Sequence, residues 1–244
     1  MNKHRGLDGE ALQVEQSGFD SHEVHQYEGR LLKGEWEIKS VGLDIARRII
    51  EDEHYAKGAS NTATYLHGLW RKGSIWEQDC VGVAWWIPPT KSAAFATYSE
   101  NWQGVLALSR LAIKPDVPKN AATFLMAGSR KLIDRKRWPC LVTYADTWQD
   151  HIGTIYDADN WTPVGFTKPE AVWVLNGRMI SRKAGPKTRT KSEMEKLGAQ
   201  MIGRYPKRKY VMCANRPLKR GGNIVLEEMI ATSADKAQDG KGEK

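Results

Sequence analysis

The sequence predicts an α/β (α+β) domain: a mixed central sheet flanked by helices, followed by a basic C-terminal extension. Three observations predict it. Helix-period and strand-like segments alternate from residue 41 to residue 175. The runs Leu106–Ile113 and Leu141–Tyr144 are short, apolar and bounded by turn residues, as central strands are. Finally, the net charge of +8 is unevenly placed. Arg178 to Arg220 holds 14 Lys and Arg against two acids, Glu193 and Glu195, a segment charge of +12 that leaves −4 for the remainder.

The elements follow in order. Residues 1–35 are polar, lack periodicity and read as a variable extension. Val41 to Glu53 reads as a helix with Val41, Ile45, Ile49 and Ile50 on one face and Ser40 as N-cap. Strands are expected at Thr64–Trp70 and Cys80–Ile87, the second stopped by Pro88-Pro89. After Leu106–Ile113, the turn Lys114 to Pro118 leads to Asn120, an N-cap for a helix reaching about Lys136, with Phe124, Leu125, Gly128, Leu132 and Ile133 buried. Leu141–Tyr144 precedes a two-turn helix from His151 to Asp157, then strands up to Trp173–Leu175. Thr190 and Glu193 form a capping box for a helix with Met194, Leu197 and Met201 on one side. Lys209–Met212 reads as a closing strand, and residues 231–244 as a disordered tail. The domain boundaries are therefore 1–35 (extension), 36–176 (α/β domain, where the candidate chemistry lies), 177–230 (basic extension) and 231–244 (tail).

Composition excludes several classes. No apolar run approaches the roughly 18 residues of a membrane span, and the N-terminus lacks the apolar stretch of a signal peptide. Cys80, Cys140 and Cys213 are odd in number and widely spaced, which predicts a reduced cytoplasmic protein without a disulfide framework. The basic run points to nucleic acid, with Arg182, Lys183, Lys187, Arg189, Lys207, Arg208 and Lys209 as phosphate contacts; the competing reading is a solvated surface.

Candidate chemistry gathers after the central strand. Asp146 ends it, and open sheets place ligands beyond the carboxyl ends of their strands. Asp146 is a candidate base, and Asp150 a candidate helix cap beside His151. Trp148 and His151 lie in this polar loop as candidate DNA contacts, Trp148 being the best base-stacking candidate; Trp85, Trp86 and Trp161 are further stacking candidates. Tyr156 is a candidate general acid or a core tyrosine. His54-Tyr55 can converge only if the first helix has ended before them. His54, Tyr55, Asp146 and His151 also offer N and O ligands to a metal ion, without compact ligand spacing.

The order strand, proline-marked turn, helix, strand ending in Tyr-Ala-Asp, short helix with Tyr156 and Gly165-Phe166 turn resembles the acyl-transferring half of the GNAT acyltransferase fold. That resemblance implies a donor site around Arg110, Lys119, Asn120 and Ala121, and makes Tyr156 the acid for the leaving group. The turn Val117-Pro118-Lys119-Asn120 holds none of the glycines that let backbone N–H groups cradle a pyrophosphate.

More specifically, Leu108-Ser109-Arg110-Leu111, Pro118-Lys119-Asn120-Ala121, Leu141 to Asp146, and His151-x-Gly-Thr-Ile-Tyr156-x-Ala-x-Asn-Trp161 resemble the Mom family of phage DNA-modifying proteins. The likeness runs from about His54 to Met212, with a departure at Gln149-Asp150-His151, where Gly is expected before the His. The resemblance implies a GNAT-like fold and a bacteriophage protein in the cytoplasm of the bacterial host. It implies conversion of adenine in double-stranded DNA to N6-carbamoylmethyladenine as protection from restriction. His54, Tyr55 and Asp146 are its implied active-site residues. The donor is an activated acyl group: the resemblance leaves open acetyl-CoA and a metal ion, whereas the product, an isomer of glycyl-adenine, points to an activated glycine such as glycyl-tRNA, with tRNA then a second partner; a homodimer is left open. Two readings compete: an ordinary GNAT N-acetyltransferase using acetyl-CoA, and a DNA-binding protein without catalysis.

Overall fold

The computed structural model describes residues 29–213, apart from 59, 150–151 and 185–186. In chain order it contains β1 (Trp36–Ser40), α1 (Leu43–Glu53), β2 (Tyr65–Arg71), β3 (Gly82–Ile87), α2 (Lys91–Phe95), β4 (Val105–Ile113), α3 (Ala121–Lys131) and β5 (Cys140–Asp146). After β5 come α4 (Thr154–Ala158), β6 (Thr162–Phe166), β7 (Glu170–Leu175), β8 (Arg178–Ile180), β9 (Lys183–Ala184), β10 (Lys187–Thr188), α5 (Lys191–Lys196), β11 (Gln200–Tyr205) and β12 (Lys207–Cys213). Among the described residues, no helix is long and apolar enough to cross a membrane.

The main sheet has seven strands in the order β1-β2-β3-β4-β5-β12-β6. Every pairing in it is antiparallel except β4 with β5. This is the mixed sheet flanked by helices that the sequence predicts. Strand alternation divides its side chains between two faces. Trp86, Leu106, Leu108 and Leu141 pack with Ala121, Leu125 and Met126 of α3. Trp70, Val83 and Trp85 pack with Ala46, Ile49 and Ile50 of α1 on the opposite face, and α2 covers β4, β5 and β12 through Ala94. The second sheet, β11-β7-β8, is closed by α5 through Trp173, Met194 and Ala199. The expected closing strand is thus an interior strand: β12 returns from the basic segment and inserts between β5 and β6.

Several expectations are corrected. Ser40 is not a helix cap, because it is the last residue of β1 and pairs with His67; Gly42 takes the N-cap of α1 without a side-chain bond. Helix α3 stops at Lys131, where Asp134 turns the chain by accepting from the backbone N–H groups of Lys136 and Arg137. Leu132 is consequently 50% exposed instead of buried. Helix α4 starts at Thr154, because Gly153 caps it with φ of 87°. The capping box of Thr190 and Glu193 is present, yet only Met194 of its helix is buried, while Leu197 and Met201 are exposed. Cys140 and Cys213 form a disulfide, against the expectation of reduced thiols. The antiparallel register sets them directly opposite each other, a proximity that their separation in sequence conceals. Cys80 is buried as a free thiol.

Candidate active site

The site arises where the single parallel pairing fails. β4 and β5 are joined only at Val105, Leu106 and Ala107 against Cys140, Leu141 and Val142. Both strands continue beyond this point, so their carboxyl halves splay apart. Thr143 reaches into the opening and donates to the carbonyl of Leu108 at 3.3 Å. A β-bulge sets the direction of β4: Trp85 and Trp86, adjacent on β3, pair with Arg110 and Leu108, leaving Ser109 as the extra residue. The bulge reverses the alternation, so Leu106 and Leu108 pack toward α3 before it, and Leu111 and Ile113 after it.

The splay holds a cavity of about 470 Å³. Its walls are Leu108 to Ile113 on one strand and Tyr144-Ala145 on the other, with Glu53, His54 and Tyr55 from the end of α1 and Ile152 to Tyr156 from the start of α4. His54 and Tyr55, Arg110 and Tyr156, drawn from three regions of the sequence, therefore meet in one opening.

Helix α1 ends at Glu53, and His54 is extended as its C-cap, which lets the neighbouring His54 and Tyr55 rings stack at 4.4 Å. The Ala56 N–H donates to Nδ1 of His54 at 3.1 Å. In the neutral ring the proton then sits on Nε2, so His54 is oriented as a donor. The Tyr55 hydroxyl donates to Oδ2 of Asp146 at 3.2 Å. Burial, reinforced by the Asp146 carboxylate, drives the Tyr55 phenol far above its ordinary pKa and keeps it protonated. Asp146 is only 4% exposed. Lys207 lies opposite it in the β5–β12 register, with Nζ 3.2 Å from the same Oδ2. A buried carboxylate thus receives one neutral and one cationic donor, which offset part of its desolvation.

Tyr156 faces the same cavity from α4. Burial raises its pKa, a hydrogen bond with the Thr143 side chain pulls the other way, and the ring packs 5.1 Å from Tyr210. Two devices hold this short helix. Gly153 has a left-handed backbone, and a Cβ there would strike the Tyr210 hydroxyl. Arg130 of α3 grips Asp159 with two hydrogen bonds, of 3.1 and 2.7 Å, and Asp159 also accepts from Trp161 Nε1 at 3.0 Å.

The expected donor set divides. Arg110 lines the cavity, donating to the carbonyls of Gly58 at 2.9 Å and Ser109 at 2.7 Å. Lys119, Asn120 and Ala121 sit at the N-terminus of α3, outside the cavity walls. Asn120 accepts from the Leu31 N–H at 2.8 Å instead of capping the helix, and Leu31 is buried in the cluster that contains Val117 and Ala121. A glycine-free turn with the chain drawn across it does not fit a backbone cradle for a pyrophosphate.

The expected nucleic-acid contacts divide too. Arg182, Lys183, Lys187 and Arg189 lie on the β9–β10 hairpin and its flanks, with Lys187 paired to Glu193 at 2.6 Å. Lys207 belongs to Asp146. Arg208 donates to the Ile152 carbonyl at 3.1 Å, and Lys209 to the Ala96 carbonyl at 3.3 Å. Trp148 is half-buried in the turn directly after β5, whereas Trp85, Trp86 and Trp161 are core residues. His151 lies outside the described residues, as does Asp150. Among the described residues, no cluster of three or more His, Cys, Asp and Glu could hold a metal ion. Sequence reasoning missed Ser109, Thr143, Tyr210 and the Arg130–Asp159 clamp. Only Ser109 left a signal, the shift in apolar phase along β4.

No curated protein sequence matches this chain. Among solved structures it is similar to the ribosomal-protein-S18-alanine N-acetyltransferase from Escherichia coli, with 12% identity, 78% of this chain and 99% of that one covered, and a TM-score of 0.44. It is also similar to Arabidopsis thaliana NAA60 in complex with acetyl-CoA, with 9% identity, 74% and 99% covered, and a TM-score of 0.48. An N-acetyltransferase from Staphylococcus aureus Mu50 aligns at 12% identity, 73% and 98% covered, and a TM-score of 0.42. The Mom protein family matches over residues 35–221, which spans the whole cavity and every strand of the main sheet. The chain belongs to the Mom family.

Proposed function

We propose that this protein is a DNA-modifying transferase that acylates N6 of adenine in double-stranded DNA and yields N6-carbamoylmethyladenine, protecting phage DNA from restriction in the bacterial cytoplasm. The observation that carries the reading is the splayed β4–β5 cavity lined by Tyr55 and Tyr156, with Asp146 and Lys207 behind Tyr55, outside the cavity walls. Family membership supports the substrate.

Adenine N6 is a weak nucleophile, since its lone pair is delocalised into the ring, and in a duplex it is stacked and paired. The base must leave the stack to react, at a cost of a few kcal/mol. Once it is in the cavity, N6 attacks the acyl carbonyl. As that bond forms, the N6 proton passes to the Tyr55 oxygen while the Tyr55 proton moves to Oδ2 of Asp146. Lys207 stabilises the carboxylate before transfer. His54, oriented as a donor, is suited to the carbonyl oxygen. Tyr156, kept protonated by burial, donates to the leaving oxygen or sulfur.

The donor we favour is an activated glycine, an ester such as glycyl-tRNA, because the α3 turn offers no pyrophosphate cradle. Glycyl transfer gives adenine–NH–CO–CH2–NH2. Its amine then attacks C6 through a five-membered ring and the original C6–N6 bond breaks. The product is adenine–NH–CH2–CO–NH2, with the original N6 as amide nitrogen and no atom gained or lost.

Nucleoside mass spectrometry of DNA from expressing cells tests the reading. Deoxyadenosine carrying one added C2H3NO unit is expected; unmodified deoxyadenosine overturns it. Labelled glycine should enter the modified base, and an unlabelled product would reject glycine as donor. Tyr156→Phe should lower modification on the order of 10²-fold if the phenol is the acid. The second reading, an N-acetyltransferase, predicts tight calorimetric binding of acetyl-CoA. The hairpin of β9 and β10 supplies phosphate contacts in this proposal, so DNA affinity should fall steeply with salt.

A further inference from the structure

Ile152 stands at the rim of the cavity with its side chain 64% exposed, an unusual placement for a large aliphatic group beside a polar site. An isolated exposed aliphatic carries no meaning by itself. Here the backbone beneath it is fixed. Its carbonyl accepts from the Tyr210 hydroxyl at 2.9 Å and from Nη1 of Arg208 at 3.1 Å. The next residue, Gly153, is buried with φ of 87° and has no room for a Cβ against Tyr210. The protein thus anchors the Ile152 carbonyl while its apolar side chain is exposed to solvent. A cation is bound directly beneath that tip, and the cavity opens directly beside it.

Proteins that unstack duplex DNA insert aliphatic wedges between bases while cations hold the adjoining phosphates. An apolar tip on a pinned backbone with an arginine at its base has the chemistry of such a wedge. We propose that Ile152 is a positioning residue that enters the base stack of duplex DNA and fills the space left by the adenine turned into the cavity. This rests on the reading of the site as a modifier of adenine in duplex DNA. In it, Ile152 touches the neighbouring bases and never the reacting atoms. Arg208 has two tasks: its Nη1 bond fixes the wedge, and its charge attracts the backbone that the wedge must enter.

The test uses the full chain and a duplex in which 2-aminopurine replaces adenine at several positions, since its fluorescence rises when it is unstacked. The intact protein should raise the fluorescence, Ile152→Ala should not, and Ile152→Met should restore the rise. DNA binding of the alanine variant at fixed salt should stay within about two-fold, because phosphate contacts supply most of the affinity. Modification in cells expressing Ile152→Ala should fall at least about ten-fold, in line with the few kcal/mol of unstacking that the wedge supports. An alanine variant that unstacks 2-aminopurine as well as the parent overturns the proposal, as does one that modifies as well. Absence of modified adenine in cells expressing the parent chain would instead overturn the reading of the function, and fluorescence would still decide on Ile152.

Discussion

Two buried polar networks occupy the same sheet, and their difference separates a packing role from the chemical role proposed above. One lies under α3: the Ser129 hydroxyl is 2.7 Å from His67 Nδ1 and accepts from Trp86 Nε1 at 2.7 Å. His67 is 3% exposed, Ser129 and Trp86 fully buried, and none of the three lines the cavity. The other is Tyr55–Asp146–Lys207, built from two of the same ingredients, a buried polar side chain and an aromatic partner. It differs in charge and in access. The first network is neutral and closed, for burial holds the His67 pKa down to about 4. The second contains a charged pair, and its Tyr55 reaches the cavity. A closed neutral network tolerates burial because every member is satisfied. In the proposed function, the charged one that opens onto a cavity serves what enters that cavity.

The sharpest way to break this comparison is Asp146→Asn. The amide keeps the size and a hydrogen bond to Tyr55 but loses the charge that draws the proton. Modification in cells should fall by about 10² to 10⁴-fold, the range for a lost general base, while the thermal transition stays near that of the parent chain. Equal modification by the two proteins would place the base elsewhere. Gly153→Ala should come next. An alanine there needs a left-handed backbone at a cost of roughly 1–2 kcal/mol and meets the Tyr210 hydroxyl besides. The change displaces Tyr156 and Ile152 together, so modification should drop about ten-fold or more, since small misplacements near a reacting centre have effects of this order. An alanine variant with full activity would show that α4 positions neither.

In the closed network, Ser129→Ala should do the opposite. It orphans the Trp86 and His67 nitrogens and should cost about 1–3 kcal/mol in urea unfolding, with modification per folded molecule unchanged. A loss of modification without a loss of stability would erase the distinction between the two networks.

The sequence made the scaffold legible because it is written in local patterns: the apolar runs of β3, β4 and β5, the proline turn before α3, and the capping box of α5. The sequence patterns around them single out Tyr156, His54 and Tyr55, and the structure brings all three to one cavity. The partners that give them meaning depend on register. Lys207 reads as one more cation in a basic run until β12 inserts beside β5 and sets it against Asp146. The Cys140–Cys213 pair was hidden by the same insertion. Asn120 reads as a helix cap, and only the passage of the chain at Leu31 shows where its side-chain Oδ1 is used. The dividing line is therefore physical: periodicity reports which face a residue takes, whereas pairing between distant strands decides whom it meets.

The smallest expected effect is a pH dependence confined to the closed network. His67 titrates near 6.5 when unfolded and at about 4 in the fold, because burial opposes its charged form. Between these values the unfolded chain binds a proton that the folded chain refuses. Stability is therefore fully present above 6.5 and declines as pH falls toward 4, with this residue contributing a slope of up to about 1.4 kcal/mol per pH unit. His67→Gln removes the titration. The variant should be less stable at pH 7, through poorer packing and an altered bond to Ser129, yet its urea midpoint should change less between pH 6.5 and 4 than that of the parent. Parallel pH profiles for the two proteins would mean that His67 carries its proton in the fold. The first network would then be charged like the second, and access to the cavity, with charge no longer a difference, would be what separates them.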